Sequence, residues 1–255
     1  MDLFGHPMNE VGNSNWHSDH LCIEEMDPEM IGMPSIIAQD DAFLAVLKPA
    51  GMPVQPDPSG DPDLLSVLRN GLMGSGIGLV HRLDRPVSGV VLFARSVEAL
   101  ANLNQQFKDR NVQKVYWSIV EGTWKGTEVL ENSVSHDGRH HKARVGDRDE
   151  ALGKAARIEV KVLAIGDRYT LVQVVPEGGA FHQIRVQLSA AGHPIKGDVK
   201  YGARRGEKDR SIALHARSIA FDHPVSLERV EVVAEFPDQP LWKALVGLMG
   251  TPGQL

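Results

Sequence analysis

A carboxylate, an imidazole and two guanidinium groups crowd the stretch His81-Arg82-Leu83-Asp84-Arg85, just ahead of Pro86-Val87-Ser88-Gly89 and the apolar run Val90 to Ala94. A charged group on a short turn at a strand end is held by the sheet yet open to a ligand, which suits Asp84 to acid–base or nucleophilic work. A turn-stabilising Asp ahead of a proline is the plainer account of the same residues. Farther along, His182 to Gly192 predicts a helix of about ten residues ending at Gly192, with His182 and Arg185 three apart on one side and aimed at a cleft. Gln113 to Gly122 predicts a strand with Lys114, Tyr116 and Ser118 on one face and Val115, Trp117 and Ile119 on the other. A Tyr and a Lys on one face can stack on a base and meet its phosphate, although a structural Tyr fits equally. Arg139, His140, His141, Lys142, Arg144, Arg148, Lys154 and Arg157 form the densest positive patch, on a hairpin that is either a solvated face or an RNA-backbone contact.

The elements around these groups read as α/β. Ser35 to Gln39 and Phe43 to Lys48 are expected as strands about an Asp40-Asp41 turn, and Lys48-Pro49-Ala50-Gly51 opens a bent loop, either a structural corner or a cleft rim. Leu64 to Arg69 predicts a short helix, and Gly74 to Gly78 a flexible approach to Asp84 without the lysine and hydroxyl residue of a phosphate loop. Ser96 caps an amphipathic helix to Lys108 whose stripe of Val97, Leu100, Leu103 and Phe107 should pack on the core. Strands are expected over Ala156 to Leu163 and Tyr169 to Val175, then at Ile212 to Ala216, Ser218 to Phe221 and Val230 to Phe236. Leu241 to Met249 closes the chain as a helix.

With 255 residues, 42% hydrophobic and 24% charged, the chain can bury a full core as one large domain or two joined lobes. The formal net charge of -6 argues against general polyanion binding, so local patches must carry any such contact. No apolar run approaches the roughly 20 residues that cross a bilayer, and Asp2, His6 and Glu10 do not make a leader, so a cytoplasmic protein is expected. The single Cys22 excludes an internal disulfide or a cysteine metal cluster. Residues 1–33 read as a mobile or loosely docked arm whose His6, His17 and His20 lack metal-ligand spacing, followed by a folded domain at 34–255.

Four separated stretches agree with one family. Lys48-Pro49-Ala50-Gly51, His81-Arg82-Leu83-Asp84 with Ser88-Gly89, Lys114-Val115-Tyr116 with Gly122, and His182-Gln183-Ile184-Arg185 followed by Pro194 to Asp198 and Tyr201-Gly202 resemble the RluA-type pseudouridine synthases, in a form without an N-terminal S4 domain. Leu214-His215-Ala216 and Phe221 to Pro224 match that family's C-terminal pattern. The resemblance spans about residues 35 to 236 and makes the domain at 34–255 the catalytic one. It implies a pseudouridine synthase fold: a mixed, largely antiparallel sheet in two lobes with a central cleft. It implies isomerisation of specific uridines in rRNA or tRNA to pseudouridine without metal or organic cofactor, and a monomer is expected. Asp84 is then the essential carboxylate, Tyr116 packs on the base, and Arg185 keeps Asp84 charged and aimed. Arg82 fills the gap left by the extracted uridine, and His81, Lys114, His182, Lys142 and Arg144 join it in substrate binding. Ring addition, sugar attack and a glycal route all remain open for Asp84.

Two positions depart from the family pattern. Pro86-Val87 stand where small hydroxyl residues are usual, and Gly179-Ala180 where an Arg usually follows the glycine. A silent RNA-binding or ribosome-associated protein is the alternative class, favoured by the acidic balance and Ala180. A glycoside-cleaving hydrolase fits less well, since no motif places a second carboxylate.

Overall fold

The computed structural model describes residues 34–73, 76–139, 141–146 and 153–250. The arm at 1–33 with His6, His17, His20 and Cys22, Gly74-Ser75, and His140 and Arg148 of the basic patch lie outside the described residues.

The chain opens with β1 (Ile36–Gln39) and β2 (Phe43–Lys48), joined where Asp40 Oδ1 accepts from the amides of Ala42 at 2.7 Å and Phe43 at 2.9 Å. α1 (Leu64–Leu68) is capped by Asp63 and runs into a π-helical turn, Arg69–Met73. β3 (Gly78–Leu79), β4 (Ser88–Ala94), α2 (Val97–Lys108) and β5 (Gln113–Glu121) follow. The long ribbons are β6 (Thr127–Asp137), β7 (Lys142–Gly146), β8 (Lys154–Ile165) and β9 (Tyr169–Glu177). α3 (Gln183–Ala190), a 3₁₀ turn at Val199–Tyr201, β10 (Leu214–Asp222), β11 (Arg229–Val233) and α4 (Pro240–Gly247) complete the fold.

The strands make one 11-stranded sheet ordered β1-β2-β4-β10-β5-β9-β8-β6-β7, with β11 on β10 and β3 on β4. Of these pairings only β4 with β10 is parallel, so the sheet is mixed and largely antiparallel. That parallel pair sits mid-sheet, and the loop that carries Asp84 leads into it. Its strands approach closely: a Cβ on Gly89 (φ +120°) would lie 2.4 Å from the carbonyl oxygen of Ala216 and 2.5 Å from its nitrogen. Gly89→Ala is therefore expected to cost about 3 kcal/mol or more through backbone clash and strain, read as a lowered thermal midpoint.

Three elements differ from the sequence reading. Ile212 to Ala216 and Ser218 to Phe221 are not separate: β10 is continuous from Leu214 to Asp222, and its register against β5 shifts between Ala216 and Ser218. The irregularity puts Arg217 over the Trp117 ring at 4.8 Å and lets the strand go on. On α2, Ser96 caps as expected, accepting from the Ala99 amide at 3.1 Å, but Val97 is 78% exposed. The buried stripe runs through Ala99, Leu103 and Gln106, and Val97, at the first helical position, is turned away from it. Finally, His182 is not on the helix. It precedes α3 in the left-handed region, at φ 53° and ψ 24°. The C-terminal end of α3 behaves as expected: Gly192 (φ 86°) follows the cap, with Gly192 N donating to Ser189 O and His193 N to Leu188 O, both at 3.0 Å.

Candidate active site

Asp84 is held by its neighbours. Leu83 and Val87 are buried in the core, and the Val87 amide closes the turn onto the Asp84 carbonyl at 3.0 Å. Val87, one of the two departures after the Asp, thus anchors the turn from beneath by packing, a task a hydroxyl residue does less well. Below the turn lies fully buried Lys48, whose Nζ donates to the carbonyls of Pro49 and Met52 at 2.8 Å and of Arg85 at 3.2 Å. Burial pushes Lys48 down to about 7, opposed by the charge of Asp84. Three carbonyl acceptors call for three N–H donors, which only the ammonium form supplies. Arg85 turns away from Asp84: Nε donates to Gly51 O at 2.8 Å, and the guanidinium pairs with Asp61 and, at 3.5 Å, Asp57.

Arg185 comes from the opposite half of the sheet, on α3, which packs against β6 and β7. It is buried and bridges two carboxylates. Nε and Nη2 grip Asp198 at 2.7 and 2.8 Å, and Nη1 reaches Asp84 Oδ2 at 3.1 Å. Only the forked guanidinium has the donors for this arrangement. Burial works against the Arg185 charge, but Asp198 and then Asp84 outweigh it and hold the group above its usual range. His182 Nε2 stands 3.5 Å from the same Oδ2. Burial, then Arg185 and Lys200, push His182 down to about 3, so it is neutral at physiological pH.

Asp84, Tyr116 and Arg185 line one cleft of about 740 Å³, together with His81, Arg82, Lys114 and His182. That volume lies within the usual range for a small-molecule site and has room for a single nucleotide. As alternation along β5 predicts, Lys114 and Tyr116 face it, while Ser118 is buried with its hydroxyl on Ala213 O at 3.0 Å. Burial and the charge of Asp84 both push the Tyr116 phenol up, so it stays a neutral ring. Burial lowers Lys114, whose ammonium is held by Gly178 O. His81 is pushed down to about 3, first by burial and then by Lys114. Its Nε2 accepts from the Leu92 amide at 3.0 Å and its ring stacks on Phe107, so much of its capacity goes into fixing the loop. Arg82 is exposed at the rim.

The basic hairpin stands apart from the cleft wall. Lys142 Nζ lies over the Tyr201 ring at 5.2 Å, and Arg144, with its side chain 67% exposed, pairs with Asp137 at 2.7 Å. Arg157 is taken up by Glu131 and Glu177, which leaves the hairpin patch less positive than its sequence. If the remaining charges hold RNA, Arg139→Gln with Arg144→Gln should flatten the salt dependence of binding by about 0.7 to 0.9 per lost contact. Turnover at saturating RNA should be little changed. An unaltered slope in a binding titration would make the hairpin a solvated face.

Three residues of this site had no assigned chemistry in the sequence reading: Lys48, Asp198 and Tyr201. The signal for Asp198 was indirect, since a buried arginine with one carboxylate still has donors to satisfy.

A family model described as RNA pseudouridylate synthase matches residues 42–190. The chain belongs to this family. It is 35% identical over 224 residues to a ribosomal large subunit pseudouridine synthase C of Vibrio parahaemolyticus, covering 84% of this chain and 69% of that one. It is 30% identical to the tRNA pseudouridine synthase C of Haemophilus influenzae, over 86% of this chain and 98% of the relative. A solved structure of human RNA pseudouridylate synthase domain containing 1 superposes with a TM-score of 0.71 at 28% identity, covering 86% and 90% of the two chains. The fold is the pseudouridine synthase fold, and the protein is an RNA pseudouridine synthase, an isomerase. No described helix is long and apolar enough to cross a membrane.

Proposed function

We propose that this synthase isomerises uridines of rRNA or tRNA with Asp84 as the essential carboxylate, acting as a monomer in the cytoplasm without metal or organic cofactor. The observation that carries this reading is the Arg185 Nη1 to Asp84 Oδ2 contact of 3.1 Å in the cleft that Tyr116 also lines. A uridine pulled from its stack enters that cleft, packs on the Tyr116 ring, and leaves a gap that Arg82 at the rim fills. His81, Lys114, His182, Lys142 and Arg144 serve the RNA side.

The overall change breaks the C1′–N1 bond and forms C1′–C5. C5 loses a proton and N1 gains one, so substrate and product are isomers. Arg185 aims the Asp84 carboxylate through the contact of Nη1 with Oδ2 at 3.1 Å, which serves attack on the ring, attack on the sugar or removal of a ribose proton alike.

The test is incubation of the protein with rRNA and tRNA and mapping of pseudouridine. New pseudouridine at defined positions is expected. Tight RNA binding with no pseudouridine in either RNA would favour the silent-binder class instead.

A further inference from the structure

We propose that Tyr201 is a positioning residue, which fixes the tautomer of His182 so that His182 presents its Nε2–H to the carboxylate of Asp84. The inference rests on the reading of Asp84 as the catalytic carboxylate. It follows from a chain of three contacts that start on β7. The Ala143 amide lies 2.7 Å from Tyr201 Oη, and a backbone amide only donates, so Oη accepts there. The phenol has one proton of its own to place. Its other hydrogen-bond partner is His182 Nδ1, also at 2.7 Å. Sending the phenolic proton to Nδ1 satisfies every group, whereas a proton on Nδ1 would leave the buried phenol hydrogen without an acceptor.

With Nδ1 accepting, the neutral ring carries its proton on Nε2. That is the nitrogen 3.5 Å from Asp84 Oδ2, a carboxylate oxygen that only accepts. The Tyr201 end thus sets the tautomer, and that tautomer turns an N–H rather than a lone pair toward the carboxylate. The ring is also pinned: Phe181 stacks on it with centroids 3.8 Å apart and planes at 19°, and the His182 backbone is held in the left-handed region. Such a conformation in a residue with a Cβ persists where surrounding structure imposes it, often at functional sites. Tyr201 is itself buried, under the Arg185 guanidinium at 5.0 Å. Asp84 Oδ2 thus faces two N–H groups from one segment, Arg185 on α3 and His182 just ahead of it. Because the chain begins at Ala143, the orientation of His182 depends on the strand β7 of the basic hairpin staying docked.

The experiment has a spectroscopic arm and a kinetic arm. In the wild-type protein, ¹⁵N NMR of His182 at neutral pH should show a proton-bearing Nε2 and a bare Nδ1; a proton on Nδ1 overturns the proposal whether or not any variant folds. Kinetically, Tyr201→Phe should lower kcat by about 10-fold with KM little changed, the scale on which partners that orient a histidine act. In a His182→Ala background the same change should cost less than about 2-fold, since its effect passes through the missing ring. Equal losses in both backgrounds, or a Tyr201→Phe protein with full kcat, would overturn it. Asp84→Asn, assayed beside them, separates the two readings: turnover by that variant defeats the role of Asp84 but leaves the tautomer measurement standing.

Discussion

Asp84→Asn is expected to bind RNA and melt like the parent protein while turnover falls by about 10⁴-fold or more, the upper end for loss of an acid–base group. The change is nearly isosteric. An amide oxygen in place of Oδ2 can still accept from Arg185 Nη1, and Arg185 keeps its two bonds to Asp198 at 2.7 and 2.8 Å, so the cleft wall stays in place. What disappears is the negative charge and with it the base or nucleophile. Release of label from C5 of uridine in RNA measures turnover, and a titration with the same RNA measures binding. Appreciable pseudouridine from the variant would remove Asp84 from the chemistry.

The parts of this site that were legible in sequence are those set by short-range rules. Alternation along β5 put Lys114 and Tyr116 on the cleft side, and the apolar run after Gly89 marked the strand that the Asp84 loop enters. The chemistry of Asp84 and Arg185 as one pair came from motif resemblance, because nothing local joins residues that lie on opposite halves of a sheet. Asp198, Tyr201 and Lys48 took tertiary structure to interpret. Each satisfies a polar partner contributed by another segment: Arg185, His182 and the Arg85 carbonyl. The same limit explains His182. Helical spacing predicts His182 one turn from Arg185 on α3, but it stands ahead of the helix in the left-handed region, with its ring held by Tyr201 and Phe181. Val97 failed for a related reason, since periodicity defines a stripe but not which edge of it the sheet covers.

Arg185→Met should abolish turnover and also destabilise the fold, and the two losses can be separated. Asp198 is buried and loses both partners of its fork when the guanidinium goes. Breaking a buried pair from one side costs about 3 to 5 kcal/mol, which in a domain of this size lowers the thermal midpoint by about 10 °C. Arg185→Lys keeps a charge but has no fork, so it can serve one carboxylate well and not both; an intermediate midpoint and a large loss of turnover are expected. Replacing both partners removes the uncompensated charge, and apolar substitutes of similar volume are often neutral. Arg185→Met with Asp198→Leu should therefore melt well above Arg185→Met alone. It should still make no pseudouridine, because Asp84 has lost the donor at 3.1 Å that aims it. Melting curves and turnover on one saturating RNA for the three variants decide the matter. Turnover that returned together with stability in the double variant would make Arg185 a scaffold residue only, and the contact between Asp84 and Arg185 would no longer support the catalytic reading.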